Sequence, residues 1–180
     1  MLQLPRGTGQ VARRGECVTR PMIAVMVALA MMAIAVPSAP SQTPDSLIVP
    51  GERIGPYRLG MTLAEVIGLL GSGGERGSTT MPRSYGMLWR NKRVFFSFFS
   101  ASHTVSGVTL YDSDENRTFR TAEGVGLGSP SSELDRFGQP EWRQQYQGGV
   151  EARAYWKVGL YTNTKEGKVT AIGVFDNRSQ

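Results

Sequence analysis

Leu59-Gly60-Met61-Thr62-Leu63-Ala64-Glu65-Val66 is answered 68 residues later by Leu127-Gly128-Ser129-Pro130-Ser131-Ser132-Glu133-Leu134. A second pair of blocks follows in the same order. Val105-Ser106-Gly107-Val108-Thr109-Leu110-Tyr111-Asp112 aligns with Val169-Thr170-Ala171-Ile172-Gly173-Val174-Phe175-Asp176, now at an offset of 64. Matching order and nearly equal offsets are the mark of a tandem duplication, with a unit longer than the usual solenoid repeats.

Each unit reads as a short helix followed by strands. Thr62 is suited to capping a helix start, and Glu65 three residues on completes the T-x-x-E capping box. Val66, Ile67, Leu69 and Leu70 supply an apolar face, and Gly71 supplies the stop. In the second unit Ser129 is the expected cap, with Pro130 at the first helical position, where its missing N–H costs nothing. Leu134 and Phe137 form the buried face before Gly138-Gln139-Pro140. Helices this short do not persist alone and must pack on a sheet. Strand-like runs supply one: 94–99 and 105–111, then 158–162 and 169–175, with further strands around Trp89 and Trp156. Gly167 in the last connection suits a hairpin turn needing positive φ. The expected fold class is α+β, two tandem helix-plus-antiparallel-strand units forming a sheet of about six to eight strands with both short helices on one face. The expected divisions are a signal peptide over 1–36, a flexible leader over 37–50, a first unit over 51–112 and a second over 113–180.

Leu59-Gly60-Met61-Thr62, then Glu65-Val66, then Leu70-Gly71 resembles the helix motif of the outer-membrane-assembly lipoproteins of the SmpA/OmlA type. Two such units in one chain resemble the tandem architecture of the β-lactamase inhibitory protein. The resemblance implies a binding module for other proteins with no catalysis. The chain departs from the lipoproteins in lacking a lipidated cysteine after the apolar run, and from the inhibitor in lacking disulfide-forming cysteines.

The charge of the chain is unevenly distributed. The chain of 180 residues has a formal net charge of +5. Arg6, Arg13, Arg14 and Arg20 against Glu16 place three of those charges before residue 42, leaving 16 basic and 14 acidic residues beyond. Residues 22–36, MIAVMVALAMMAIAV, form an apolar run behind those arginines and end at an Ala33-Ile34-Ala35 triplet followed by Pro37. That is the pattern of a secretory signal peptide. The competing reading is an uncleaved anchor, but a span needs about 20 apolar residues. Cys17, the single cysteine, precedes the run, where no lipid attachment is expected. The expected location is periplasmic or secreted, without a stable membrane anchor once the signal is cleaved. A near-neutral mature chain without a basic run gives no footprint for nucleic acid.

Chemistry is sparse. His103, the single histidine, falls in a predicted hairpin turn, and a triad or histidine-based zinc site needs more partners. Asp112, Asp114, Asn116 and Glu123 match positions 1, 3, 5 and 12 of a calcium loop, but Arg117 stands where position 6 requires glycine. A polar connector is the ordinary reading. No phosphate-binding loop occurs, and no pair of carboxylates is singled out for glycosidic chemistry. No metal or cofactor is expected.

Trp89 and Trp156 lie in apolar runs and are assigned to the core. Trp142, Arg143 and Tyr146 sit in the polar stretch Glu141–Gln147, and are residue types enriched at binding hot spots. They are the candidate contact residues, the alternative being a strand whose aromatics turn inward at a spacing of four. The leading expectation is an exported, non-enzymatic protein-binding module of the bacterial cell envelope whose partner is another envelope or secreted protein. An envelope hydrolase using a carboxylate pair and a small-molecule or glycan binder are the alternatives.

Overall fold

Apolar residues at alternate positions build the main sheet. In a computed structural model, which describes residues 44–79 and 83–177, Val94, Phe96 and Phe98 point into the core from one strand and Val108 and Leu110 from the next, as a side-chain period of two requires. Twelve strands result: β1 (Leu47–Val49), β2 (Arg53–Ile54), β3 (Tyr57–Arg58), β4 (Glu75–Gly77), β5 (Ser84–Trp89), β6 (Val94–Phe99), β7 (Val105–Tyr111), β8 (Arg120–Thr121), β9 (Trp142–Tyr146), β10 (Val150–Tyr155), β11 (Leu160–Lys165) and β12 (Lys168–Phe175). Eight form one sheet in the order β4-β5-β6-β7-β12-β11-β10-β9, and four form a second in the order β3-β2-β1-β8.

The expected α+β architecture of two helix-plus-strand units is therefore corrected: the fold is mostly β. The described residues contain one α-helix, α1 (Leu63–Leu70). Its capping box forms as expected, with the Thr62 hydroxyl accepting from the Glu65 N–H and the Glu65 carboxylate accepting from the Thr62 N–H at 2.7 Å. The second expected helix is a 3₁₀ helix, Ser131–Phe137, with no side-chain cap. Ser129 is occupied elsewhere, its hydroxyl accepting from the Gly126 N–H and from Arg120. With its cap diverted and Gly138 at its end, this segment stays in the tighter, shorter form.

The small sheet draws its strands from several of the expected divisions. β1 comes from the stretch assigned to the flexible leader, yet it pairs antiparallel with β2 and parallel with β8, Leu47 lying opposite Arg120. The signal-peptide assignment lies outside the described residues. Among the described residues no helix is long and apolar enough to cross a membrane.

One core joins these layers. Ile48 and Ile54 from the small sheet, Val66 from α1 and Leu134 from the 3₁₀ helix meet Trp89, Phe96, Phe98, Leu110, Leu160 and Ile172 from one face of the large sheet. Burying each such side chain contributes about 1.5–3 kcal/mol. Trp89 does more than fill space: its indole Nε1 donates to the Gly71 carbonyl at 2.9 Å, satisfying a helix-end acceptor from the sheet. All of this covers one face of the large sheet. The other face carries the candidate site.

Candidate functional site

The uncovered face has a floor made of small residues. Gly77, Gly86, Ser97 and Gly107 occupy one row across β4, β5, β6 and β7, while Gly173 lies between Thr109 and Tyr161 in the next. Ala154, Ala152 and Ala171 extend the floor on β10 and β12. The glycines are required by close approach. A methyl group on Gly173 would come within 2.6 Å of the Thr109 hydroxyl and 2.8 Å of the Val108 carbonyl, and one on Gly86 would strike the Phe95 ring. The Phe95 ring thus occupies the space above two glycines, Gly77 and Gly86.

Large aromatic side chains wall this floor. Trp142, Tyr146, Trp156, Tyr161, Tyr111, Phe95 and Phe175 surround a groove of about 490 Å³, with Ser97, Thr109 and Asn163 supplying polar atoms. None of the described residues lining it is charged at neutral pH. Trp156 packs edge-on to Phe175 at 5.0 Å between ring centroids. It is only half-buried, so the core position expected for it is wrong, whereas Trp89 is fully buried as expected.

Tyrosines cluster at one end. Burial pushes the Tyr161 phenol up to about 12, with the neighbouring Tyr146 and Tyr111 adding to the rise and the Asn163 side chain opposing it. Burial likewise raises Tyr111. The Asn163 carbonyl oxygen Oδ1 is buried without a hydrogen-bond partner, which leaves an acceptor unsatisfied at the groove.

The three candidate contact residues separate. β9 pairs antiparallel with β10, Trp142 opposite Ala154, Gln144 opposite Ala152 and Tyr146 opposite Val150, so Trp142 and Tyr146 share the groove face. Arg143 lies opposite Arg153 and points to the other face. There Glu151 bonds Arg153 through both carboxylate oxygens, at 2.9 and 3.1 Å, and the Arg153 guanidinium holds the Glu151 carboxyl below its usual range, with Arg143 adding to the effect. The spacing of four between Trp142 and Tyr146 was the available signal. The rest of the wall, from β6, β7, β11 and β12, arises from long-range register and has no local signature.

The calcium-loop pattern is put to other use. Arg117 grips Asp112, and the Asn116 amide donates to the carbonyls of Lys92 and Tyr111 at 3.0 Å each, tying the connector to two neighbouring segments. The adjoining cavity, about 510 Å³, contains Arg117, Arg120, Lys165 and Lys168 against Asp112 and Glu166, a balance that repels a cation. Among the described residues no group of three or more His, Cys, Asp or Glu is placed to hold a metal ion. His103 sits in the β6–β7 turn with a φ of 54°, its Nδ1 3.2 Å from the Tyr85 hydroxyl.

No family model matches the chain, and no curated protein matches it. Solved structures give distant likenesses. A DUF4309 family protein, YjgB of Bacillus subtilis, is 14% identical, covers 69% of this chain and 87% of its own, and superposes with a TM-score of 0.44. The uncharacterized protein yfeY of Escherichia coli is 15% identical over 74% of this chain and 96% of its own, at a TM-score of 0.41. A cysteine-rich secretory protein of Staphylococcus aureus, SAV1118, is 12% identical over 72% of this chain and 49% of its own, at 0.43.

Proposed function

We propose that this is an exported, non-enzymatic protein-binding module of the bacterial cell envelope, periplasmic or secreted, that receives a segment of another envelope or secreted protein in the aromatic groove. The observation that carries the reading is the groove's composition. Tryptophan and tyrosine offer large rigid surfaces at little entropic cost, and serine, asparagine and glycine adapt hydrogen bonding to a partner's main chain, the mixture that protein-recognition surfaces favour. The resemblance of the Leu59–Gly71 motif to envelope binding proteins points the same way. A carboxylate-pair hydrolase is less well supported, because no carboxylate is among the described residues lining the groove. Export rests on the basic and apolar pattern of residues 13–36.

Crosslinking in the native host, followed by capture from envelope extract, tests the reading. A discrete protein retained by the wild type and weakened about 30-fold or more by Trp142→Ala or Tyr146→Ala is expected. Equal retention by these variants rejects the groove as the contact. The unpartnered Asn163 oxygen and the neutral lining also suit a neutral glycan. Fluorescence quenching by oligosaccharides, with no protein captured, would select that reading instead.

A further inference from the structure

β9 is an edge strand whose one charged side chain, Arg143, is its only usual defence. Among the described residues it pairs with β10 alone, its register runs unbroken over five residues, and four of the five are exposed. It contains no proline, no bulge and no lysine, the devices that keep sheet edges from pairing. The opposite edge, β4, is only three residues long.

We propose that two copies of the chain associate by antiparallel pairing of their β9 strands about a two-fold axis at Gln144, joining the two large sheets into one. The side chains of β9 are self-complementary in that register. On the groove face, Trp142 lies beside Tyr146 of the second copy on each side of the axis, and Gln144 lies beside its own equivalent. On the other face, Arg143 lies opposite Gln145 of the second copy. Because Arg143 already pairs with Arg153 and Gln145 with Glu151, each row of two arginines continues into the second copy's glutamine and glutamate. The two-fold thus sets each Arg143 against a neutral amide, where a one-residue slip would turn the aromatics to opposite faces. The two aromatic grooves become one trough crossing the axis. The inference is independent of the partner reading, since Gln145 faces away from the groove and its substitution leaves the groove walls in place.

Sedimentation of the exported protein tests this, alone and as two variants. The wild type dimerises with concentration. Gln145→Lys places the introduced lysine opposite Arg143 of the second copy at two symmetric positions, and raises the dimer dissociation constant about 2- to 30-fold. Adding Arg143→Glu pairs opposite charges at the same positions and restores dimerisation, while within one chain both changes keep favourable neighbours in Glu151 and Arg153. A second readout needs no change of charge. In a Cys17→Ser background, Gln144→Cys crosslinks to its own equivalent on mild oxidation, because directly opposed residues fall within disulfide reach, whereas Gln145→Cys, two positions from its equivalent, does not. A wild type that stays monomeric up to about 200 µM, a Gln145→Lys variant that dimerises normally, a folded double variant without rescue, or crosslinking at Gln145 and not Gln144 would each overturn the proposal.

Discussion

Arg117 closes a two-pronged ion pair on Asp112, with Nε 2.7 Å and Nη2 2.9 Å from the two carboxylate oxygens. The residue that spoils the calcium-loop pattern is the one that neutralises its first carboxylate. Its hydrogen bonds to Asp112 hold that carboxyl below the usual range.

Acid sensitivity follows from that pair. A carboxylate whose folded pKa is lowered contributes stability that is present above the unfolded value of about 3.9 and lost as pH falls through the lower folded value. Glu151 acts in the same direction. Unfolding midpoints in denaturant should stay level from pH 7 to about 5 and fall below about 4. Asp112→Asn should flatten part of that fall, and isothermal titration of the wild type with calcium should release no heat.

At alkaline pH the sign reverses. Tyr161 has a folded pKa raised to about 12, above the ordinary tyrosine value of about 10. Its stabilising effect is complete below pH 10 and disappears as pH climbs towards 12, because the buried phenolate is penalised. Phenolate absorbance should show Tyr161 among several buried tyrosines that titrate late, and Tyr161→Phe should reduce that late step by one tyrosine and soften the alkaline loss of stability.

Two chain segments touch through their backbones at residues 51 and 159. Gly159 has a φ of 69°, and a methyl group there would approach the Gly51 Cα at 2.6 Å and the Phe175 carbonyl at 2.7 Å. The Gly51 N–H donates to the Gly159 carbonyl at 3.1 Å, so two chain segments meet where neither has a side chain. Gly159→Ala should therefore cost about 2–4 kcal/mol from strain and displaced backbone, measured by denaturant unfolding. Gly148→Ala, with open space around its Cβ, meets only the φ penalty of about 1 kcal/mol.

How much of this was readable depended on the range of the interactions. Thr62 and Glu65 signal their helix within four residues, and the helix is there. The strand pair Val94–Phe99 and Val105–Tyr111 is likewise local, joined by a short turn. Ser129-Pro130 carried the same kind of local signal and misled, because the Ser129 hydroxyl is recruited by Gly126 and Arg120. β1 and β8 have two or three residues each and exist only because Leu47 and Arg120 are brought together across the chain. No periodicity marks such strands. At the site, a spacing of four joined Trp142 to Tyr146, while the same alternation that unites them sends Arg143 through the sheet to the far side. Tyr111, Tyr161 and Trp156 reach the groove through pairings between β7, β12, β11 and β10, which no window of sequence displays.

The groove is hollowed by missing side chains, not by surrounding loops. Gly107 and Gly173 leave a floor of main chain that the sheet's own hydrogen bonds have already immobilised. Whatever settles there freezes no rotamers beneath it; the ordering cost falls on the aromatic walls alone. The same economy makes the surface brittle to drift: nearly any residue replacing one of those glycines would plant a side chain where the occupant must lie.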